Sequence, residues 1–236
     1  MTQPPSTYFA LANWELDTPI ASGTGVVIIP GSTLTKGFTD TYFYSSPDNS
    51  MTFMCPVNGA TTPNTHYPRT ELRETPVDGD WPLLTGTHTL KATCKVSKFP
   101  APLTPLKGIY IGQIHGDNDS HNPQLVKLLW TPTNEITVQI QEDADPSTEK
   151  TYSLGHVPAL GQEIDYEIII TTGKLTVTVT PKSTNKSASM TATYKNKYWT
   201  EQTYYFKAGN YLQETDKSST DYGVVQFYAL TATHTK

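Results

Sequence analysis

Cysteine, arginine and long hydrophobic runs are all scarce in this chain of 236 residues. The two cysteines, Cys55 and Cys94, are too few for a disulfide framework and lack metal-ligand spacing, so one disulfide and two buried thiols fit equally well. No apolar run approaches the roughly 20 residues that a membrane-spanning helix needs. Residues 1–5 lack the charged and apolar regions of a signal peptide, so we expect any leader to have been removed before this numbering begins.

Positive charge is scarce as well. The net charge is −5 and the isoelectric point is near 5.6. A nucleic-acid-binding protein normally carries a basic face, so we expect no nucleic-acid partner. The sequence has no Asp-x-Asp-x-Asp-Gly or His-x-x-x-His motif, so we expect neither a metal ion nor another cofactor. We also expect a monomer that does not associate with a membrane.

The residues that are abundant favour strands and turns. Thr supplies about one residue in six, beside 14 Tyr, 18 Pro and 15 Gly. Apolar and polar residues alternate along 136–141 and along 175–180, where a Thr-Gly-Lys turn at 172–174 closes a predicted hairpin. All-β domains commonly reach this length as one unit. We therefore predict a single domain over residues 1–236, an all-β jelly-roll sandwich of two antiparallel sheets.

The two arginines of the chain lie in one short run, Tyr67–Glu74. Alternation places Arg69, Glu71 and Arg73 on one face of a strand. A surface ladder of salt bridges would explain this run, but Lys would serve equally well there and 15 Lys are spread elsewhere. Concentrating the planar, bidentate donors on one strand face favours recognition of a carboxylate or phosphate.

Two further segments have polar faces. In Ile109–Gly116, alternation places Gln113 and His115 on one side together with Ile109 and Ile111, while Ile114 points the opposite way. In the segment 204–213, one face carries a series of aromatic, charged and amide side chains around a glycine, namely Tyr205, Lys207, Gly209, Tyr211 and Gln213. Gly209 marks a bulge or a close approach by backbone or ligand.

Together the three strands predict a locally cationic groove on an anionic protein. Such a contrast attracts a polyanion while the remaining surface repels it. Aromatic side chains add stacking surfaces for sugar rings. We therefore predict an acidic polysaccharide as the ligand.

The same three segments resemble the signature regions of the alginate lyases of the seventh polysaccharide lyase family. The family pattern Arg-Ser/Thr-Glu-Leu-Arg is similar to residues 69–73, Gln-Ile/Val-His to residues 113–115, and Tyr-Phe-Lys-Ala-Gly-x-Tyr-x-Gln to residues 205–213. All three occur in the family's order, and the resemblance extends from Trp14 to Tyr228. It implies a jelly roll whose concave sheet holds the substrate, and cleavage of 4-O-linked uronates by β-elimination.

The resemblance also implies four catalytic residues. Arg69 and Gln113 would neutralise the uronate carboxylate, because donors aimed at developing charge supply much of catalysis. Tyr211 would protonate the leaving oxygen. His115 would remove the C5 proton of guluronate, where proton and leaving oxygen lie on opposite faces, whereas Tyr211 would do both for mannuronate.

Other residues of the motifs would position the substrate: Glu71, Arg73, Lys207, Asn210, Gln213 and Tyr205. We expect Glu71 to orient an arginine rather than to act as base. Ile at position 114 accompanies action on guluronate-containing blocks in the family, so a weak guluronate preference is expected. Endolytic cleavage and a secreted or periplasmic location are further expectations, since the polymer is too large to enter a cell.

Two alternatives remain at this point. The strand Glu163-Ile164-Asp165-Tyr166-Glu167 resembles the carboxylate strand of family sixteen β-glucan hydrolases, in which Glu163 and Glu167 would act as nucleophile and acid. Alternatively, the chain is a binding module for acidic polysaccharide without turnover. A lyase generates an ultraviolet-absorbing unsaturated uronate, which distinguishes it from both.

Overall fold

The computed structural model describes residues 2–62, 65–101, 107–117, 124–141, 149–157 and 159–236. Strand residues make up 56% and helix residues 5% of the structure, which confirms the all-β prediction. Within these ranges, helix is limited to the 3-10 turn Pro5–Thr7 and the four-residue helices α1 (Gly31–Leu34) and α2 (Lys197–Thr200). None of the described helices has the length and apolar character to cross a membrane.

The strands of the described ranges form two antiparallel sheets, as predicted for a jelly roll. The larger sheet contains, in spatial order, β11 (Glu149–His156), β10 (Glu135–Gln141), β9 (Gln124–Trp130), β8 (Ile109–Gly116), β15 (Thr203–Leu212), β5 (Arg69–Glu74), β1 (Trp14–Ser22) and β2 (Gly25–Ile29), with β6 (Trp81–Pro82) beside β15. The smaller sheet contains β14 (Ala188–Thr193), β13 (Lys174–Pro181), β12 (Ile164–Thr171), β7 (Thr87–Lys98), β16 (Tyr222–Thr235), β4 (Met51–Pro56) and β3 (Phe43–Ser45).

The β12–β13 hairpin shows how alternation builds the sandwich. Its predicted turn is present, with positive φ angles of 45° at Thr172 and 80° at Gly173. The alternate residues Leu175, Val177 and Val179 are fully buried against the larger sheet, while the threonines between them face outward. One strand thus supplies both core and surface.

The core between the sheets is apolar and contains both cysteines. Cys55 on β4 and Cys94 on β7 are fully buried free thiols, which decides between the two alternatives that the sequence left open. Burial raises the pKa of both thiols, so they remain protonated and act as small apolar side chains.

The three motif strands are neighbours in the middle of the larger sheet, in the order β8, β15, β5. They come from distant parts of the chain, and only the antiparallel pairing of β15 with both others brings their polar faces together. The sheet order therefore determines where the predicted groove lies.

Candidate active site

All four predicted catalytic residues lie on the face of the larger sheet that is turned away from the core, here called the site face. Residues directly opposite each other on paired strands point to the same side. The register gives these pairs: Lys207 with Arg73 and with Gln113, Tyr211 with Arg69, and Tyr205 with His115. Their sequence neighbours Leu72, Ile114 and Phe206 are fully buried in the core.

Glu71 is the centre of the polar contacts on this face. Its Oε2 lies 3.3 Å from Arg69 Nη1 and 3.1 Å from Lys207 Nζ, while Oε1 accepts a 2.5 Å hydrogen bond from Gln113 Nε2. Glu71 is fully buried. It therefore orients Arg69, as expected, and also fixes Lys207 and the Gln113 amide.

A second buried carboxylate, Asp17 on β1, completes this network. Asp17 Oδ2 accepts a 3.1 Å hydrogen bond from Lys207 Nζ. Burial alone would raise the pKa of Asp17, but the positive charges of Lys207 and Arg69 hold it below its ordinary value. Burial likewise opposes charge on Lys207, but Glu71 and Asp17 raise its pKa overall. In the buried part of the site, the positive charges of Arg69 and Lys207 are therefore balanced by the negative charges of Glu71 and Asp17.

Arg69 retains donor capacity despite this pairing. Its guanidinium lies over the Tyr211 ring, 3.9 Å from the ring centroid. Its buried Nε has no hydrogen-bond partner among the described residues. A buried donor without a partner costs free energy unless something accepts its proton. This nitrogen is closed off from solvent, so a substrate carboxylate would meet the guanidinium beside the Tyr211 ring and not at Nε.

Arg73 occupies a more exposed position. Its guanidinium lies 3.8 Å from the centroid of Tyr205 and pairs with Asp80 at 3.4 Å and Glu15 at 3.8 Å. The two arginines of the motif therefore each stack on a tyrosine of β15. The partners of Arg73 differ from those of Arg69, because Glu71 contacts Lys207 instead of a second guanidinium.

His115 is held as a neutral base. Burial, with Lys207 and the arginines adding to it, lowers its pKa to about 3. Nδ1 lies 2.8 Å from the Gly116 carbonyl oxygen, which can only accept, so Nδ1 carries the proton, and the Tyr205 hydroxyl lies 2.9 Å from the same nitrogen. Nε2 is then left with its lone pair, the form that removes a proton.

A bulge in β8 changes the predicted faces of this strand. Tyr110 pairs with Leu129 and Gly112 with Leu128, so Ile111 is an extra residue. Tyr166 of the smaller sheet donates a 3.0 Å hydrogen bond to the Ile111 carbonyl. A Cβ at Gly112 would lie 2.9 Å from that Tyr166 hydroxyl, so the bulge needs glycine here.

The prediction that Ile109 and Ile111 share the face of Gln113 was therefore wrong. Both isoleucines are fully buried in the core, and Tyr110 lies on the site face instead, packed against Tyr211 with ring centroids 5.8 Å apart. Sequence reasoning missed Tyr110, since unbroken alternation assigns it to the core. The Ile-Gly pair in the strand was the available signal.

Asn210 is the clear correction among the predicted substrate-binding residues. Its side chain points into the core, where Nδ2 donates to the Phe53 carbonyl at 3.1 Å and the Gly223 carbonyl at 3.0 Å. The preceding Gly209 has a φ of 149° and no room for a Cβ, which would lie 2.8 Å from Glu71 Cα. Gly209 thus marks both a bulge and a close approach of β5, as its position suggested.

The last member of the motif, Gln213, follows directly after β15. Its side chain is buried, and Nε2 lies 3.4 Å from the Tyr211 carbonyl. Its backbone N–H bonds to the Gly108 carbonyl at 2.9 Å. In the structure Gln213 therefore supports the end of the strand that carries Tyr211.

The carboxylates of the hydrolase alternative lie elsewhere. On the outer side of the smaller sheet, Glu167 pairs with Lys91 at 2.7 Å, and Lys182 pairs with Glu163 at 3.8 Å and Asp165 at 3.6 Å. These are partly exposed ion pairs away from the site face. Within the described residues, no group of three His, Cys, Asp or Glu side chains is arranged to hold a metal ion.

A jelly roll that gathers guanidinium, amide, imidazole and phenol groups on one sheet face is the arrangement that the motif resemblance predicts for a polysaccharide lyase. A family profile described as alginate lyase matches residues 9–234. The chain belongs to the alginate lyases of polysaccharide lyase family 7.

Relatives agree over nearly the whole length. An alginate lyase of Klebsiella pneumoniae is 28% identical, with 98% of this chain and 91% of the relative aligned. The crystal structure of alginate lyase A1-II′, a member of polysaccharide lyase family 7, matches with a TM-score of 0.85 and 30% identity over 98% of this chain and 99% of that one. An alginate lyase structure from Pseudomonas aeruginosa matches with a TM-score of 0.82 and 32% identity over 95% and 99%.

Proposed function

We propose that this enzyme cleaves alginate by β-elimination with Arg69, Gln113, His115 and Tyr211 as its catalytic residues. A base removes the C5 proton of a uronate, the electron pair forms the C4–C5 double bond, and the C4–O bond breaks with protonation of the leaving oxygen. The observation that carries this proposal is the convergence of all four side chains on the site face.

The electrostatic part of the reaction falls to Arg69 and Gln113. The uronate carboxylate makes loss of the neighbouring proton unfavourable, so its charge must be neutralised before C5 can ionise. Arg69 supplies the positive charge of its guanidinium, which lies over the Tyr211 ring. Gln113 presents an amide, held in orientation by Glu71, without adding a further charge.

Proton transfer falls to His115 and Tyr211. Nδ1 of His115 bonds the Gly116 carbonyl, so the lone pair of Nε2 is available to remove the C5 proton of guluronate. Tyr211 would protonate the leaving oxygen, and for mannuronate would act as base as well. A variant of A1-II′ with one histidine replaced by asparagine and one tyrosine by phenylalanine was crystallised in complex with substrate (GGMG), which supports roles for these residue types.

Tyr211→Phe tests this assignment. We expect a loss of about 10³-fold in kcat, within the range for removal of a general acid, measured as the ultraviolet absorbance of unsaturated product. Tyr228→Phe, which removes a hydroxyl on the smaller sheet, is the matched control and should keep full activity.

His115→Ala should lose more activity on guluronate-rich than on mannuronate-rich polymer. Equal, mild losses on both polymers would contradict both roles.

The finer properties belong to the same proposal. We propose endolytic cleavage with a weak preference for guluronate-containing blocks, by a secreted or periplasmic monomer. Ile114 is fully buried behind the site face, so its influence on block preference acts through packing. Product sizes over time on defined blocks test the cleavage mode, because endolytic cleavage gives intermediate lengths first and exolytic cleavage does not. Comparison of activity in medium, periplasm and cytoplasm tests the location.

A further inference from the structure

A row of polar side chains crosses the three catalytic strands of the larger sheet and continues onto the two strands beyond β8. Arg73, Lys207, Gln113, Lys127 and Gln139 occupy directly paired positions on β5, β15, β8, β9 and β10. We call these five residues the polar row. Neighbouring strands lie about 4.8 Å apart, so Lys127 and Gln139 extend the row by about 10 Å past Gln113.

The side chain of Lys127 packs on the site face and does not extend into solvent. Its side chain is 12% exposed, and Nζ lies 5.2 Å from the centroid of the Tyr110 ring. That ring packs on Tyr211, and its hydroxyl donates to Gln139 Oε1. Burial raises the pKa of Tyr110, so this neighbour remains a neutral phenol. Lys127 is therefore one aromatic ring away from the predicted catalytic acid.

The counter-ion of Lys127 differs from those of the catalytic cations. Glu149 Oε2 lies 2.5 Å from Lys127 Nζ, at the edge strand β11, and its side chain is 29% exposed. Glu71, which pairs with Arg69 and Lys207, is fully buried at the centre of the sheet. A half-exposed carboxylate at the edge can be replaced by another carboxylate at little cost, because water solvates the one that leaves.

We propose that Lys127 binds the carboxylate of a uronate one or more sugars away from the cleaved bond, displacing Glu149. This inference rests on the proposed function, since a uronate polymer bound across the site face presents one carboxylate on every sugar. Arg69 and Gln113 serve the sugar that reacts, and Lys127 is the next cation along the polar row. Lys127 is thus a substrate-binding residue that sets how long a bound segment must be.

The experiment compares Lys127→Gln with Lys91→Gln on uronate oligomers from trimer to octamer. Lys91 pairs with Glu167 at 2.7 Å on the smaller sheet and is a matched lysine–glutamate control. We expect Lys127→Gln to raise KM about tenfold for the longer oligomers, equivalent to about 1.4 kcal/mol, with kcat and the KM of the shortest cleaved oligomer nearly unchanged. Lys91→Gln should alter neither constant.

Glu149→Gln provides a second measurement that does not depend on the stability of the lysine variant. Removing the competing carboxylate should lower KM for the longer oligomers, whereas loss of a purely structural ion pair would leave KM unchanged. If neither Lys127→Gln nor Glu149→Gln changes KM for an oligomer of any length, the proposed role of Lys127 is wrong, although the lyase activity itself is unaffected. Failure of the proposed function itself would look different, because the unaltered protein would then give no unsaturated product.

Discussion

The two outer faces of the sandwich are built by the same alternation and yet differ in character. On the site face, the side chains of Arg69, Glu71 and Lys207 are between 0% and 8% exposed. On the outer face of the smaller sheet, the side chains of Lys91 and Glu167 are 60% and 29% exposed. The comparison shows that an ion pair in the middle of the larger sheet is withdrawn from water, whereas an ion pair on the smaller sheet stays hydrated.

Many outward-facing positions of the smaller sheet are occupied by hydroxyl side chains. Thr178 bonds Ser189 at 2.8 Å, Thr180 bonds Ser187 at 2.8 Å, and Thr93 donates to Asp165 at 2.6 Å. Thr suits a half-exposed strand, and its hydroxyl stays hydrated, so such a face costs little to build. This use accounts for many of the abundant threonines without any role in binding.

Among substitutions that compare the two outer faces, Arg69→Lys on the site face should have the largest effect. Lysine keeps the charge but loses the planar, multidentate guanidinium, so we expect kcat/KM to fall about 10²- to 10³-fold. Lys91→Arg on the other face should leave kcat/KM unchanged. Full activity of Arg69→Lys would show that charge alone suffices and that the guanidinium geometry is not used.

Glu71→Gln tests the difference in burial through stability. Removing the shared carboxylate leaves Arg69 and Lys207 facing each other out of water, so the free energy of unfolding should fall by about 3–5 kcal/mol. Glu167→Gln should lower it by less than about 1 kcal/mol. Denaturant unfolding measures both, and equal losses would mean that the site face is as hydrated as the other.

Asn210→Ala tests the reassignment of this residue from substrate to core. The carbonyls of Phe53 and Gly223 lose their donor, so the free energy of unfolding should fall by about 1–3 kcal/mol. KM should not change, because the side chain does not reach the site face. A raised KM with unchanged stability would restore Asn210 to the substrate site. Thr178→Val, an exchange on the outer hydroxyl face, should change stability by less than about 0.5 kcal/mol.

The pH dependence of His115 adds a contribution to stability that changes gradually with pH. Its folded pKa of about 3 lies below that of an unfolded histidine, near 6.5, so the unfolded chain binds the extra proton between these limits. Stability should therefore fall as pH falls through that window, by about 1.4 kcal/mol for each pH unit. In His115→Asn this contribution should vanish, whereas His156→Asn at an exposed position should follow the unaltered protein. Parallel curves for all three proteins would show that His115 is not buried as a neutral group.

The sequence predicted the fold and the convergence of the site for a simple reason. Alternation decides the face of each residue within a strand, and it correctly grouped Arg69 with Glu71 and Lys207 with Tyr211. It cannot decide which strands are neighbours. Asp17 on β1 and Lys127 on β9 were missed because their place beside the motif strands depends on the sheet order.

Two other differences have local causes. The segment from Ile109 to His115 alternates without a visible break, so the bulge at Ile111 could not be read from polarity and depends on the Tyr166 hydroxyl of the other sheet. Asn210 was assigned by motif similarity, although alternation alone places it toward the core. A motif can therefore contain residues that hold the site together without touching its ligand.

The extra residue at Ile111 also determines what a change of length in this strand would alter. Because Ile111 has no partner on β9, deleting it would restore plain alternation with Tyr110, Gln113 and His115 still on the site face. The deletion would instead remove the carbonyl that accepts the Tyr166 hydroxyl and leave that buried hydroxyl without this partner. Losing the bulge would therefore weaken the link between the two sheets and leave the orientation of the site face unchanged.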